Sequence, residues 1–176
     1  HIPVLLMGYI NPVMQFGVER FCQKCAEVGV DGVILPDLPM DVYLQEYKVI
    51  FEQHGLYNIF LVSPQTSEQR IREIDALSEG FIYTVSSSSV TGGQSGVSHD
   101  MVRYFERLRA MQLRNPTLIG FGIKDRTTFQ KACQYANGAI IGSAFIRVLE
   151  QSTSLASDIT AFLASIKSNN SVEAGV

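Results

Sequence analysis

Three short segments place glycines where a bound anion would need them: Ser89-Val90-Thr91-Gly92-Gly93, Gly120-Phe121-Gly122-Ile123 and Gly142-Ser143-Ala144. A phosphate dianion requires several N–H donors converging on it. Glycine lets the backbone come close and take up the dihedrals this needs. Gly142 and Ser143 would open a short helix over about 144–149, whose free N–H groups and positive dipole end suit an anion. The Ser143 hydroxyl adds one more donor. No Lys or Arg falls inside the three segments; Lys124 follows Gly122-Ile123 directly, and Arg147 lies one helical turn past Ser143. The expected site therefore grips its anion mainly with backbone dipoles. One glycine would mean an ordinary turn, which is the competing reading; recurrence in three consecutive loops points to phosphate.

Other reactive residue types are weaker candidates. Asp37 stands between Pro36 and Pro39, just past the apolar run Gly32 to Leu35. A carboxylate in a proline-stiffened loop suggests function, with a plain turn aspartate as the alternative. Cys22 and Cys25 form a C-x-x-C pair, but Val18, Phe21, Cys22, Cys25 and Val28 keep helical i, i+3, i+4 spacing. The pair therefore belongs to the apolar face in mid-helix, where a thiol gains nothing from the helix dipole. The serines Ser86 to Ser89 have no histidine beside them in the sequence. His54 ends an expected helix and His99 begins one, so both belong at the surface. This argues against a Ser-His triad and against a metal site.

The elements that must position these residues follow a repeating rhythm of apolar run, loop, amphipathic segment and loop. The runs are Val4 to Met7, Gly32 to Leu35, Ile59 to Val62, Phe81 to Val85, Leu118 to Phe121 and Ala139 to Ile141. They are nearly continuous in apolar character, as strands buried on both faces are. The spacing predicts helices over about 17–28, ending before Gly29, and 42–53, with Leu44, Tyr47 and Phe51 inward. A third helix opens with the capping-box spacing Thr66-Ser67-Glu68-Gln69 and buries Ile71, Ile74 and Leu77. A fourth follows Ser98 and buries Met101, Phe105 and Leu108. A fifth starts near Asp125 and buries Phe129, Ala132, Cys133 and Ala136. The last spans about 154–167, and a frayed polar tail is expected over 168–176.

Alternating strands and helices imply α/β architecture with a parallel sheet. An open doubly wound sheet and a closed barrel both fit this rhythm. No Gly-x-Gly-x-x-Gly follows any strand, and the glycines gather after the last three strands, as a barrel phosphate site requires. The expected fold is a (β/α)8 TIM barrel present as about six βα units over 1–167, with about two units absent at the N-terminus. Unpaired apolar edges then predict self-association.

Composition bounds the function. The 176 residues are 46% hydrophobic and 18% charged with net charge -3, which fits a globular domain without the basic footprint of nucleic-acid binding. No apolar run is long enough to span a bilayer. Three cysteines, an odd and low count, point to a reducing compartment such as the cytoplasm.

Taken in order, Leu6-Met7-Gly8-Tyr9-Ile10-Asn11-Pro12, Gly29-Val30-Asp31-Gly32-Val33-Ile34-Leu35-Pro36-Asp37-Leu38-Pro39, Ser89-Val90-Thr91-Gly92, Gly120-Phe121-Gly122-Ile123 and Gly142-Ser143-Ala144 resemble the tryptophan synthase alpha subunit. The likeness covers essentially the whole chain apart from the tail, and Pro-Asp-Leu-Pro is its most specific element. It implies a lyase of tryptophan biosynthesis that cleaves indole-3-glycerol phosphate to indole and glyceraldehyde 3-phosphate without metal or organic cofactor. The family's main catalytic Glu and Asp match positions ahead of His1, so the chain alone is expected to be inactive. The resemblance assigns Gly92, Gly122, Gly142 and Ser143 to phosphate, and Tyr83 to orienting the catalytic carboxylate. It assigns Tyr9 and Phe121 to the indole pocket, and Asn11, Asp37 and Pro39 to the interface with a beta subunit that binds pyridoxal phosphate. Ser86 to Ser89 depart from the family pattern, in which Gly often precedes the valine, so this loop is expected to close differently. Another sugar-phosphate barrel isomerase or epimerase, or a non-catalytic assembly fragment, stays open as an alternative.

Overall fold

The apolar runs become short parallel strands and the amphipathic segments become helices over residues 2–85, 99–120 and 122–167, which the computed structural model describes. These residues form two compact units, drawn from His1–Thr84 with Leu113–Thr117 and from Val85–Gln112 with Leu118–Val176.

In the first unit, β1 (Leu5–Met7) leads through α1 (Ile10–Phe16) and α2 (Val18–Val28) to β2 (Gly32–Ile34). Next come α3 (Met40–Val42), a π-helical turn Tyr43–Tyr47, α4 (Lys48–Gln53), β3 (Tyr57–Asn58), β4 (Leu61–Val62), α5 (Glu68–Leu77) and β5 (Ile82–Val85). Strands β1, β2 and β3 pair in parallel in that order, and β4 pairs in parallel with β5. A Cβ added at Gly32 would lie 2.6 Å from the Tyr57 carbonyl oxygen, so the close approach of β2 to β3 requires glycine there. The core gathers Cys22, Val33, Phe51, Val62, Ile71 and Ile82, with Tyr43 edge-on to Phe51 and Phe60 at centroid distances of 5.6 and 5.4 Å. An aspartate knot ties α5 to the segment before the next strand. The Asp75 carboxylate accepts from the Arg114 and Asn115 backbone N–H groups at 2.8 and 2.9 Å, and from Asn115 Nδ2. The Arg114 guanidinium donates to the carbonyls of Asp75, Ala76 and Ser78 at the end of α5.

In the second unit, α6 (His99–Ala110), β6 (Thr117–Gly120), α7 (Arg126–Cys133), β7 (Gly138–Ala139), α8 (Ser143–Gln151) and α9 (Leu155–Lys167) follow in order. Strands β6 and β7 pair in parallel, Leu118 opposite Gly138 and Ile119 opposite Ala139. Asp125 caps α7 through a capping box: its carboxylate accepts from Thr128 N at 2.8 Å while the Thr128 hydroxyl accepts from Asp125 N. Phe145 of α8 lies against Phe162 of α9, beside an apolar cavity of about 270 Å³ that Phe129, Ala139, Ile141 and Ile166 help to line.

Several local expectations need correction. The run Ile59 to Val62 is two short strands, with Ile59 and Phe60 between them. A helix, α1, precedes the expected start near Gly17, and Pro12 sits in its first turn, where the missing N–H is not needed. The cap of α5 is Ser67, which accepts from Arg70 N, while Thr66 Oγ1 accepts from Ser63 N. The helix after Gly142 runs two residues further than expected and includes Ser143. Leu44 points outward because the π-helical turn shifts the inward stripe onto Tyr43 and Tyr47. Val28 and Cys133, each the last residue of its helix, are exposed. Strand β1 is not buried on both faces: Leu6 and Met7 are 43% and 56% exposed. The expected tail over 168–176 lies outside the described residues.

Candidate functional site

The carboxyl ends of β1 and β2 form one rim of the first unit. The two strands run parallel with Leu5 opposite Gly32 and Met7 opposite Ile34. The pairing continues past Met7, because the Gly8 N–H donates to the Ile34 carbonyl at 3.1 Å. Tyr9 follows in extended backbone (φ -115, ψ 150) at the cap position of α1, and its side chain, 67% exposed, makes no cap bond. The first amide of the helix finds its acceptor elsewhere: Ile10 N–H donates to Asp37 Oδ1 at 2.9 Å. Asp37 is held in a turn closed by Leu38 N–H on the Leu35 carbonyl, between Pro36 and Pro39. Pro39 occupies the cap position of α3, and its carbonyl accepts from Tyr43 N–H at 2.9 Å. Tyr9 and Asn11, at the start of α1, and Asp37 and Pro39, in the turn before α3, therefore follow neighbouring strands, as the strands' register dictates. At the other end of the same pair, Val4 N–H donates to Asp31 Oδ2 at 2.7 Å and Asp31 N–H to the Val4 carbonyl.

Tyr83 is the second residue of β5, opposite Leu61, and not at its carboxyl end as the resemblance implied; its N–H donates to the Phe60 carbonyl. Only 5% of Tyr83 is exposed. Burial pushes its hydroxyl pKa up, so the phenol stays neutral and able to donate at physiological pH. Its neighbour Thr84 is fully buried, and the Thr84 hydroxyl and the Asn58 amide oxygen lack a hydrogen-bond partner among the described residues. Neither residue stands in a motif that marks it in the sequence.

The second unit carries the glycine loops. Gly122, two residues past β6, has φ +76, a left-handed conformation that favours glycine. Gly142 caps α8: its carbonyl accepts from Phe145 and Ile146 N–H at 2.9 and 3.1 Å. The amides at the start of α8, beginning with Ser143, have no acceptor inside the helix. Gly142 and Ser143 are exposed, and nothing lies within 4 Å of a Cβ built on Gly142, so the helix N-terminus is open to an incoming anion. Parallel pairing of β6 with β7 makes their following loops neighbours, which brings the Gly122 and Gly142 loops to one rim. Gly92 and Phe121 lie outside the described residues, as do Ser86 to Ser89.

Cys22 and Cys25 are buried free thiols, and the Cys22 pKa is pushed up to about 12 by burial and then by its neighbours Cys25 and Glu19. They are core residues, as their spacing indicates. His54 closes α4 and lies 2.9 Å from Glu19; His99 is exposed at the start of α6. Among the described residues, no group of three His, Cys, Asp or Glu side chains could hold a metal ion, and no helix is long and apolar enough to cross a membrane.

The family model described as tryptophan synthase alpha chain matches residues 1–174. The chain belongs to the tryptophan synthase alpha chain family. It is 60% identical over 153 residues to the tryptophan synthase alpha chain of Flavobacterium johnsoniae, covering 87% of this chain and 60% of that one. It is 54% identical to that of Christiangramia forsetii, covering 94% and 64%. The chain thus spans less than two thirds of the length of these curated relatives. Among solved structures, the tryptophan synthase alpha chain from Legionella pneumophila is similar with a TM-score of 0.76 and 33% identity, over 93% of this chain and 61% of that one. A structure of the tryptophan synthase α2β2 complex from Pyrococcus furiosus matches with a TM-score of 0.77 and 28% identity, over 93% and 66%. These likenesses fix the fold class as the α/β barrel of the tryptophan synthase alpha chains. The position of Asp37 was visible in the sequence; its bond to Ile10 was not, because no local signal marks a cap supplied from 27 residues away.

Proposed function

We propose that this chain carries the phosphate grip and the partner-facing loops of a tryptophan synthase alpha chain acting on indole-3-glycerol phosphate. The observation that carries the reading is the open N-terminus of α8 at Gly142 and Ser143, on a strand paired to the one that leads to Gly122, in a member of that family. A phosphate seated there meets free backbone N–H groups and the positive end of the helix. In the proposed reaction the bond between indole C3 and the first glycerol carbon breaks. The hydroxyl on that carbon loses its proton to become the aldehyde, C3 gains a proton, and an acceptor holds the indole N–H. The Glu and Asp that do most of this in the family match no position among these residues. Tyr83 orients the carboxylate through its neutral hydroxyl, and Tyr9 offers an aromatic face to the flat indole ring. The reaction needs no cofactor in this chain; indole passes to a beta subunit that holds pyridoxal phosphate and docks on Asn11, Asp37 and Pro39. The α2β2 assembly of the Pyrococcus furiosus relative supports such a partner, and a cytoplasmic biosynthetic role follows from the same reading.

Calorimetric titration of the 176-residue chain with glyceraldehyde 3-phosphate tests the grip. Saturable binding that inorganic phosphate competes away is expected; no saturable heat with either ligand refutes it. Indole release by these 176 residues alone, above background, would contradict the assignment of the principal catalytic roles to residues other than these.

A further inference from the structure

We infer that Asp37 is a positioning residue for the loop after β1 and acts through the Ile10 amide. The significance given to Tyr9 and Asn11 rests on the function proposed above; the cap itself does not.

Helix α1 starts without a local cap. The residue at the cap position is Tyr9, whose side chain makes no cap bond, so the first amides of the helix need acceptors from outside. Asp37, from the loop after the neighbouring strand, accepts from Ile10 N–H at 2.9 Å and places a negative charge at the positive helix end. The direction of control follows from stiffness. Asp37 lies in a closed turn flanked by Pro36 and Pro39, each with fixed φ, while Gly8 and Tyr9, which lead into α1, carry no proline, and Pro12 stiffens only the helix that follows. The β1 loop therefore conforms to Asp37. Ile10 stands between Tyr9 and Asn11, so this one bond holds both a pocket residue and an interface residue to the loop that carries Pro39. The Asp31 carboxylate on Val4 N–H secures the start of the same strand pair and Gly8 N–H on the Ile34 carbonyl secures its end, so the Asp37 bond is the tether for the segment past Gly8.

Three variants separate this role from a direct contact between Asp37 and a partner. Asp37→Asn removes the charge but keeps an oxygen acceptor for Ile10. Asp37→Ala removes both. Ile10→Pro removes the donor and leaves Asp37 intact; proline suits the first helical position, and extended Tyr9 tolerates a following proline. Ile10→Ala controls for the lost side chain. Amide hydrogen exchange on the whole 176-residue chain is the first readout. Asp37→Ala should speed exchange at Ile10 and Asn11 about fivefold, the usual cost of a lost cap, and Asp37→Asn should stay within about twofold of the parent. Unchanged exchange in Asp37→Ala, or equal loss in both variants, overturns the inference. Affinity for the beta subunit is the second readout. Ile10→Pro and Asp37→Ala should weaken it alike, with Asp37→Asn close to the parent. Normal affinity in Ile10→Pro together with loss in both Asp37 variants would show direct contact and overturn positioning. If the parent chain binds no beta subunit, the proposed function fails, and the exchange experiment alone decides the cap.

Discussion

In the first unit, aspartates reach across the sequence. Asp31 and Asp37 each accept a backbone amide 27 residues away, and Asp75 holds amides 39 and 40 residues away. Among the described residues of the second unit, two aspartates bond locally: Asp125 caps its own helix through Thr128, three residues on, and Asp158 accepts from Ser152 and Ser154, six and four residues back. Longer-range contacts in the second unit include the β6–β7 pairing and Phe145 on Phe162. The contrast matches what each is proposed to do. The proposed partner-facing segments are fastened by a side chain, and the start of α8, proposed to present backbone N–H groups, is left open.

The comparison breaks first at Asp75. Asp75→Ala removes the acceptor of three hydrogen bonds and should destabilise the chain by about 2 kcal/mol, read as a fall in Tm of roughly 4–8 °C. Burial alone would raise the Asp75 pKa, but the Arg114 and Asn115 backbone amides, the Asn115 side chain and the Arg114 charge together hold it below the usual carboxylate value. Because the folded pKa is the lower one, this stabilisation is complete above about pH 4 and fades as pH falls through the folded value. The Tm gap between parent and Asp75→Ala should therefore shrink in acid; a gap that stays constant down to pH 2 would show that the charge is irrelevant.

Gly142→Asp sharpens the comparison from the other side. A Cβ at Gly142 meets nothing, and aspartate is a favoured cap residue, so Tm should hold within about 1 °C. A carboxylate at the mouth of α8 competes with and repels a phosphate, so glyceraldehyde 3-phosphate affinity should fall at least about tenfold. Loss of stability in parallel with affinity would mean that this loop, too, is structurally fastened.

The smallest perturbation is chemical labelling. Burial raises the thiol pKa at all three cysteines, but Cys133 is exposed while Cys22 and Cys25 are buried. A small alkylating reagent at pH 8 should take Cys133 at least about tenfold faster, without changing Tm. Cys22 should react only as the first unit opens, which makes it a reporter of that unit. Equal rates in the folded chain would contradict the buried placement.

The sequence made the apolar half of this molecule legible. Spacing alone placed Cys22 and Cys25 inside, put Ile71 and Ile74 on the inner face of α5, and set the strands close to where they lie. Misjudgements cluster where periodicity stops carrying information. Val28 and Cys133 continue their stripes by one residue too many, because a helix end turns the chain away from the core. Leu44 fails because periodicity assumes 3.6 residues per turn and the chain widens to a π-helical turn there. Of the glycine loops, Gly122 and Gly142 follow the paired strands β6 and β7, as the rhythm of runs and loops implies. The Asp37–Ile10 and Asp75–Arg114 bonds were invisible because a carboxylate's choice among distant amides is made by the fold, not by neighbours in sequence.

Asp31 and Asp37 share one sequence offset, 27, which is also the offset of every residue pair between β1 and β2. Sliding β1 by a single residue would turn its amides to the opposite edge and strand both carboxylates at once. A misaligned strand is thus penalised at its entrance and again at its exit, and folding checks the same alignment twice, as a proofreader reads a line from both ends.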